Sequence, residues 1–292
     1  TGSGKTLAGF LPTVADLYLN PSGKLHTLYI SPLKALASDI KRNLKRPIDE
    51  LKLDISVEDR TGDTKQSIKK KQRVTPPNIL LTTPESLALL MSYPEAPRMF
   101  SNLKRIIVDE IHSITESKRG DQLFLAISNI RKYCLDAKII GLSATVSDPS
   151  LIAGWLAPES DCDIILSDPG LEPDVSILKT SEPPPWAGSS GLYSIPEVIT
   201  EIGKHKTTLI FHNTRAQAEI FFHNLWLANN KNLPIAIHHG SLDKEQRRQV
   251  EEAMVSGELR AVVCTGSLDL GIDWGSVDLV IQIGAPRQVK RL

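Results

Sequence analysis

Short apolar runs alternate with longer amphipathic ones along this chain, and that alternation constrains the fold more than any other feature. Candidate strands lie at Thr27–Ile30, Ser56–Glu58, Ile79–Thr82, Ile106–Asp109 and Ile139–Leu142. Helical patterns fall between them, at Lys5–Leu19, Leu33–Leu53, Glu85–Met91 and Asp121–Tyr133. Such an order calls for crossover connections, and so for a parallel sheet with helices on both faces. Residues 167–191 then turn rich in Pro, Gly and Ser and include Pro183-Pro184-Pro185, the composition of a connecting segment. The alternation resumes with strands expected at Thr208–Phe211, Ile235–His238, Ala261–Cys264 and Leu279–Ile283. Helices are expected there at Pro196–His205, Arg215–Ala228 and Lys244–Ser256. The expectation is an α/β chain of two tandem units, 1–167 and 192–292, joined by a linker at 168–191.

Composition sets the outer bounds. A length of 292 residues suits two α/β units. Hydrophobic residues at 41% and charged residues at 23% exclude a disordered chain. Lys+Arg and Asp+Glu both number 34, so any binding of nucleic acid has to rely on local groups rather than on net charge. Cys134, Cys162 and Cys264 lack metal-ligand spacing and read as buried, reduced thiols, which fits a cytoplasmic protein. No apolar run reaches the roughly 20 residues needed to span a bilayer, and no signal peptide is visible. Thr1 is not a natural start, so a true N-terminus is expected upstream. A helix is likewise expected beyond Gly284-Ala285-Pro286.

Thr1-Gly2-Ser3-Gly4-Lys5-Thr6 leads directly into a helical pattern. Glycines free backbone N–H groups to face phosphate oxygens, and a helix N-terminus adds a favourable dipole. Lys5 is placed to reach the β and γ phosphates, and the Thr6 hydroxyl to hold Mg²⁺. By itself the run also reads as a glycine turn capping a helix. The second acidic motif decides between the two. Arg105-Ile106-Ile107-Val108 is a β-branched run closed by Asp109-Glu110-Ile111-His112. Carboxylates at the C-terminal end of a parallel strand lie where open α/β sheets bind ligands. Asp109 is expected to hold Mg²⁺ and Glu110 to orient and deprotonate an attacking water.

With Lys5-Thr6, Asp109-Glu110-Ile111-His112 and Ser143-Ala144-Thr145 in that order, the chain resembles superfamily 2 helicases in motifs I, II and III. Ser31-Pro32-Leu33-Lys34-Ala35-Leu36, Thr61-Gly62-Asp63-Thr64 and Thr82-Thr83-Pro84-Glu85-Ser86 resemble their backbone-contacting loops. In the second unit Phe211-His212-Asn213-Thr214-Arg215, His238-His239-Gly240-Ser241 and the run Thr265–Trp274 resemble motif IV, the loop after it, and motif V. The runs PLKALASDI, TTPESLALLMSYPEA, DEIHSITESKRGDQL, NTRAQAE and SLDLGIDW are most like the Lhr (large helicase-related) family. The PWAG segment at 185–188 and HHGSLDKEQ are similar to its bacterial, ligase-associated branch.

The resemblance implies two RecA-like domains of a P-loop NTPase. It also implies an ATP- and Mg²⁺-dependent 3′→5′ translocase on single-stranded DNA, acting in DNA repair in the bacterial cytosol or nucleoid, with a ligase or nuclease as possible partners. It assigns Gly2, Ser3, Gly4, Lys5, Thr6, Gly271 and Asp273 to the nucleotide, and His112, Ser143 and Thr145 to coupling. Pro32, Lys34, Gly62, Asp63, Thr83, Pro84, Arg215 and Thr265 are assigned to the nucleic-acid backbone, where small hydroxyls and scattered cations suit sequence-independent contacts. The family's paired arginines would begin just after Leu292, so the 292-residue chain alone is expected to bind ATP weakly and turn it over slowly.

The motifs alone do not separate DNA from RNA. A different P-loop enzyme and a silent two-domain clamp remain competing readings. Lys69-Lys70-Lys71-Gln72-Arg73 reads as a solvated helix face or a nucleic-acid contact. Trp226 reads as core, and Trp186 as a residue that could pack across the domains.

Overall fold

A computed structural model describes residues 5–115, 117–143, 146, 148–158, 162–166, 174–186, 190–266 and 277–285. The chain divides into two compact units, Thr1–Asp168 and Pro169–Leu292. The first unit runs α1 (Lys5–Leu19), β1 (Thr27–Ile30), α2 (Lys34–Glu50), β2 (Val57–Arg60), α3 (Gln66–Val74) and β3 (Ile79–Thr82). It continues with α4 (Pro84–Met91), α5 (Ala96–Phe100), β4 (Arg105–Val108), α6 (Lys118–Arg131), β5 (Lys138–Gly141) and α7 (Pro149–Leu156). Its five strands are all parallel, in the order β2-β3-β1-β4-β5.

Successive strand residues point to opposite faces, and the core divides accordingly. Leu28, Ile30, Leu80, Ile106 and Val108 pack on one face with Leu87 and Leu90 of α4, Phe100 of α5, and Leu123 and Ile127 of α6. Tyr29, Ile79, Leu81 and Ile107 face the other way, against Phe10 and Leu17 of α1 and Ala37, Ile40 and Leu44 of α2. Both faces of the sheet are therefore covered, which is why β1 and β3 read as unbroken apolar runs.

The second unit repeats the plan with α8 (Ile195–Lys204), β6 (Thr208–Phe211), α9 (Arg215–Ala228), β7 (Ile235–His238), α10 (Lys244–Val255), β8 (Ala261–Cys264) and β9 (Leu279–Gln282). Its strands are parallel in the order β7-β8-β6-β9. Ile210, Val263 and Ile235 pack against Val198 and Ile202 of α8 and Phe221 and Leu225 of α9. Leu209, Val262 and Cys264 meet Met254 of α10 on the opposite face. Part of the Pro-rich segment lies on this unit: Leu178 packs against the α8–α9 core, and Ser181 donates to Glu197 Oε1 from its backbone N–H at 2.9 Å and from its hydroxyl at 2.6 Å.

Several expectations need correction. The second strand is Val57–Arg60 rather than Ser56–Glu58, because it is a charged edge strand whose residues carry no apolar alternation. The basic run does form a helix face, as read, in α3, but Gln72 within it is fully buried. Trp226 is 57% exposed: α9 buries Ala218, Phe221 and Leu225, and Trp226 lies one position off that stripe, against Phe222. Cys134 and Cys264 are buried, but Cys162 is exposed. Trp186 is fully exposed. Among the described residues no helix is long and apolar enough to cross a membrane.

Candidate active site

Parallel register brings the C-terminal ends of β2, β3, β1 and β4 to one edge of the first sheet: Arg60, Thr82, Ile30 and Val108 are successive cross-strand partners. The motif segments at Pro32–Lys34, Gly62–Asp63, Thr83–Pro84 and Asp109–His112 all leave the sheet at that edge. Asp109 is anchored there by its N–H to Ile30 O at 2.9 Å. Both Asp109 and Glu110 are 8% exposed. Asp109 Oδ1 accepts the N–H of Glu110 at 2.9 Å, and Oδ2 accepts the hydroxyl of Tyr29. Glu110 itself sits in the left-handed region (φ 47°), an unfavourable conformation for a glutamate, of the kind that clusters at functional sites.

Burial raises the Glu110 carboxyl above its usual range, and the neighbouring Asp109 raises it further against the opposing pull of Lys5. Lys5 Nζ donates to the carbonyl of Ser143 at 2.9 Å. The Ser143 hydroxyl lies 3.0 Å from His112 Nδ1, and His112 Nε2 lies 3.5 Å from Glu110 Oε2. Lys5, Ser143, His112 and Glu110 thus form a continuous polar chain that ends on one of the two buried carboxylates. Ile111 N–H, bonded to Leu142 O at 3.1 Å, ties the acidic turn to the segment that carries Ser143. Thr6 occupies the first turn of α1 and is half-buried. Gly2, Ser3, Gly4, Thr145, Gly271 and Asp273 lie outside the described residues.

Along the same edge, Lys34 Nζ meets Asp63 Oδ1 at 2.9 Å. A Cβ on Gly62 would come within 3.0 Å of Lys34 Nζ, so the absence of a side chain lets the lysine cross that loop. Lys69 Nζ holds Gly62 O from the other side at 3.1 Å. Thr83 caps α4, its hydroxyl accepting Ser86 N–H at 3.4 Å, with Pro84 at the first helical position. Arg119 joins two of these loops, donating to Pro32 O at 2.8 Å and to Glu85 Oε1. In the second unit Arg215 leaves the N-terminus of α9 and donates to the Ser241 hydroxyl at 2.5 Å. Thr265 N–H reaches His238 O at 3.4 Å.

Tyr29 and Arg119 were given no role from the sequence, whereas Lys69 was read within the basic run and Ser241 within the loop after motif IV. Tyr29 reads as a core strand residue, and only its register opposite Ile107 reveals that its hydroxyl reaches Asp109.

The model for "DEAD/DEAH box helicase" matches residues 1–152, and that for "Helicase conserved C-terminal domain" matches 192–292. The chain belongs to the DEAD/DEAH box helicases. Homologues of this helicase chain include the "ATP-dependent helicase Lhr-Core protein 2" of Thermococcus barophilus, 39% identical over 100% of the chain and 36% of that protein. Among solved structures it is similar to the Mycobacterium smegmatis helicase Lhr bound to ssDNA and AMP-PNP, with 35% identity and a TM-score of 0.79, over 99% of the helicase chain and 40% of the solved one. A DUF1998 helicase, MrfA, bound to DNA is 26% identical with a TM-score of 0.80, over 99% of the helicase chain and 42% of MrfA. The helicase chain therefore spans little more than a third of the length of its Lhr-Core homologue.

Proposed function

We propose that this chain is the motor core of an Lhr-type, ATP-dependent helicase that moves along single-stranded DNA. The observation that carries the reading is the meeting of Lys5 with the buried pair Asp109 and Glu110 at the end of β4, in a chain similar to an Lhr seen with ssDNA and AMP-PNP.

The donors suit magnesium. Two carboxylates and a threonine hydroxyl are hard oxygen ligands, and among the described residues no group of three or more His, Cys, Asp or Glu makes a self-sufficient metal site. That pattern fits an ion that arrives with nucleotide phosphates. Thr6 and Asp109 would hold it, and when bound it would neutralise phosphate charge. Lys5 exchanges its Ser143 carbonyl for a phosphate oxygen. Glu110, with its raised carboxyl, takes the proton of the attacking water. Lys34, the Gly62–Asp63 loop, Thr83 and Pro84 in the first unit, with Arg215 and Thr265 in the second, contact the strand's backbone. The finer reading is a 3′→5′ motor serving DNA repair in the cytosol, in the ligase-associated branch of the family.

ATP hydrolysis by a chain extended past Leu292 to carry the paired arginines that the resemblance implies, measured without nucleic acid, with single-stranded DNA and with single-stranded RNA, tests this reading. The expected result is stimulation by DNA that Glu110→Gln abolishes. Stimulation by RNA alone, or by neither polymer, sinks it. Strand displacement on substrates with a 3′ or a 5′ tail then tests direction.

A further inference from the structure

We propose that Arg119 is a positioning residue that transmits the state of the acidic turn to the strand-contacting loops. This rests on the motor reading above and goes beyond it, since Arg119 touches none of the groups assigned to nucleotide.

The connection begins at Glu110. Ser113 N–H bonds Glu110 O at 2.9 Å, Ile114 and Thr115 bond Ile111 O at 3.0 and 3.2 Å, and Ser117 N–H bonds Ile114 O at 3.1 Å. Ser117 then caps α6, its hydroxyl accepting Gly120 N–H at 3.2 Å and donating to Ile114 O at 2.6 Å. Gly120 is required for this closeness, because a Cβ there would lie 2.3 Å from Ile114 O. These hydrogen bonds among the described residues link the acidic turn to Ser117 at the start of α6, so a displacement of Glu110 or His112 is expected to carry the first turn of α6 with it.

Arg119 sits in that turn and reaches outward. Its guanidinium donates through Nη2 to Pro32 O at 2.8 Å and through Nε to Glu85 Oε1. Pro32 opens the loop after β1, and Glu85 lies in the first turn of α4 beside Thr83 and Pro84. Burial alone would raise the Glu85 carboxyl, but the Arg119 hydrogen bond and charge, with backbone and Thr83 contacts, bring it below its usual range. The Arg119 and Glu85 side chains are 43% and 51% exposed, so the pair adds little to stability. What the fork adds is a fixed distance between two loops, which a single-point lysine cannot reproduce.

The test is the affinity of the full chain for a fluorescent single-stranded DNA oligonucleotide, read by anisotropy with Mg·AMP-PNP and with Mg·ADP. The wild-type chain is expected to show affinities differing by about fivefold or more between the two nucleotides. In Arg119→Ala and in Arg119→Lys that ratio is expected to fall toward one. Glu85→Gln, which weakens one arm and leaves the Pro32 contact, is expected to lower it part-way, and it carries the test if Arg119→Ala does not fold. A ratio preserved in the variants, whether or not both affinities weaken, overturns the proposal, as does full restoration by lysine. If the wild-type chain binds DNA without regard to nucleotide, the motor reading fails and this inference falls with it.

Discussion

At the C-terminal edges of their sheets the two units handle buried polar groups in opposite ways. The first unit places two carboxylates side by side after β4, and Lys5 offsets only part of their mutual cost. The second unit places His212 after β6 and His238 and His239 at the end of β7, all nearly inaccessible. Two of these have a carboxylate of their own: His238 Nε2 lies 3.0 Å from Glu251 Oε1, and His239 Nε2 lies 3.1 Å from Glu219 Oε1. His212 packs against the Phe221 ring and is held neutral, its pKa lowered to about 4 by burial. The histidines at the end of β7 are therefore paired and His212 is neutral, though its Nε2 has no hydrogen-bond partner among the described residues, while the first edge keeps negative charge that an arriving cation relieves. A fold that leaves charge uncompensated at one edge and settles it at the other marks where the chemistry belongs.

The sharpest way to break this comparison is to neutralise the first edge. Glu110→Gln is expected to cost roughly 10²–10⁴-fold in ATP turnover, the range for loss of a general base. The same change removes a desolvated charge beside Asp109, so the melting temperature of the nucleotide-free protein is expected to rise or hold. The sign follows from the raised carboxyl: the folded state binds the proton more tightly than the unfolded one, so its stability falls as pH rises through that range. A variant that loses both activity and stability would show that Glu110 is a structural residue.

The second edge makes the opposite pH prediction. His212 titrates at about 4 when folded against 6.5 when unfolded, so the unfolded state takes up the extra proton. Stability is intact above about pH 6.5 and is lost as pH falls toward 4, by roughly 3 kcal/mol at 1.36 kcal/mol per unit. Hydrogen exchange of the His212 amide, bonded to Cys264 O at 2.8 Å, reads this locally. His212→Phe is expected to flatten the slope. An unchanged slope would mean that another group carries it.

The strand ends were legible for a physical reason: β-branched runs closed by charged or glycine-bearing turns have few other uses. Asp109 and Glu110 belong to such a turn, and Lys5 to the glycine-bearing run that leads into α1. What escaped the sequence acts through tertiary reach or lacks a periodic signal. The apolar residues of α3, Ile68 and Val74, are exposed, so the basic run marked a helix face but no apolar stripe showed where the helix begins and ends. Trp226 was expected in the core because it lies in an amphipathic helix, but the 3.6-residue period turns it away from Phe221 and Leu225. Arg119 looks like one more surface charge until the loops after β1 and β3 are brought beside it.

Tyr29 gives the smallest effect and separates packing from polarity at the first edge. Its ring packs against Phe10 with centroids 5.2 Å apart, while its hydroxyl serves Asp109, and burial with that carboxylate drives its own ionisation far out of reach. Tyr29→Phe keeps the ring and removes the donor. A hydrogen bond to a charged group contributes about 1.5–3 kcal/mol, so a loss of about 2 kcal/mol is expected in denaturant melts. Without that donor Asp109 keeps only the Glu110 N–H as a described partner, and its free oxygen gains most from a cation. Magnesium bound with AMP-PNP is therefore expected to recover more stability in Tyr29→Phe than in the wild-type chain. Equal recovery in both would mean that the phenol fills space and leaves the charge of the carboxylate untouched.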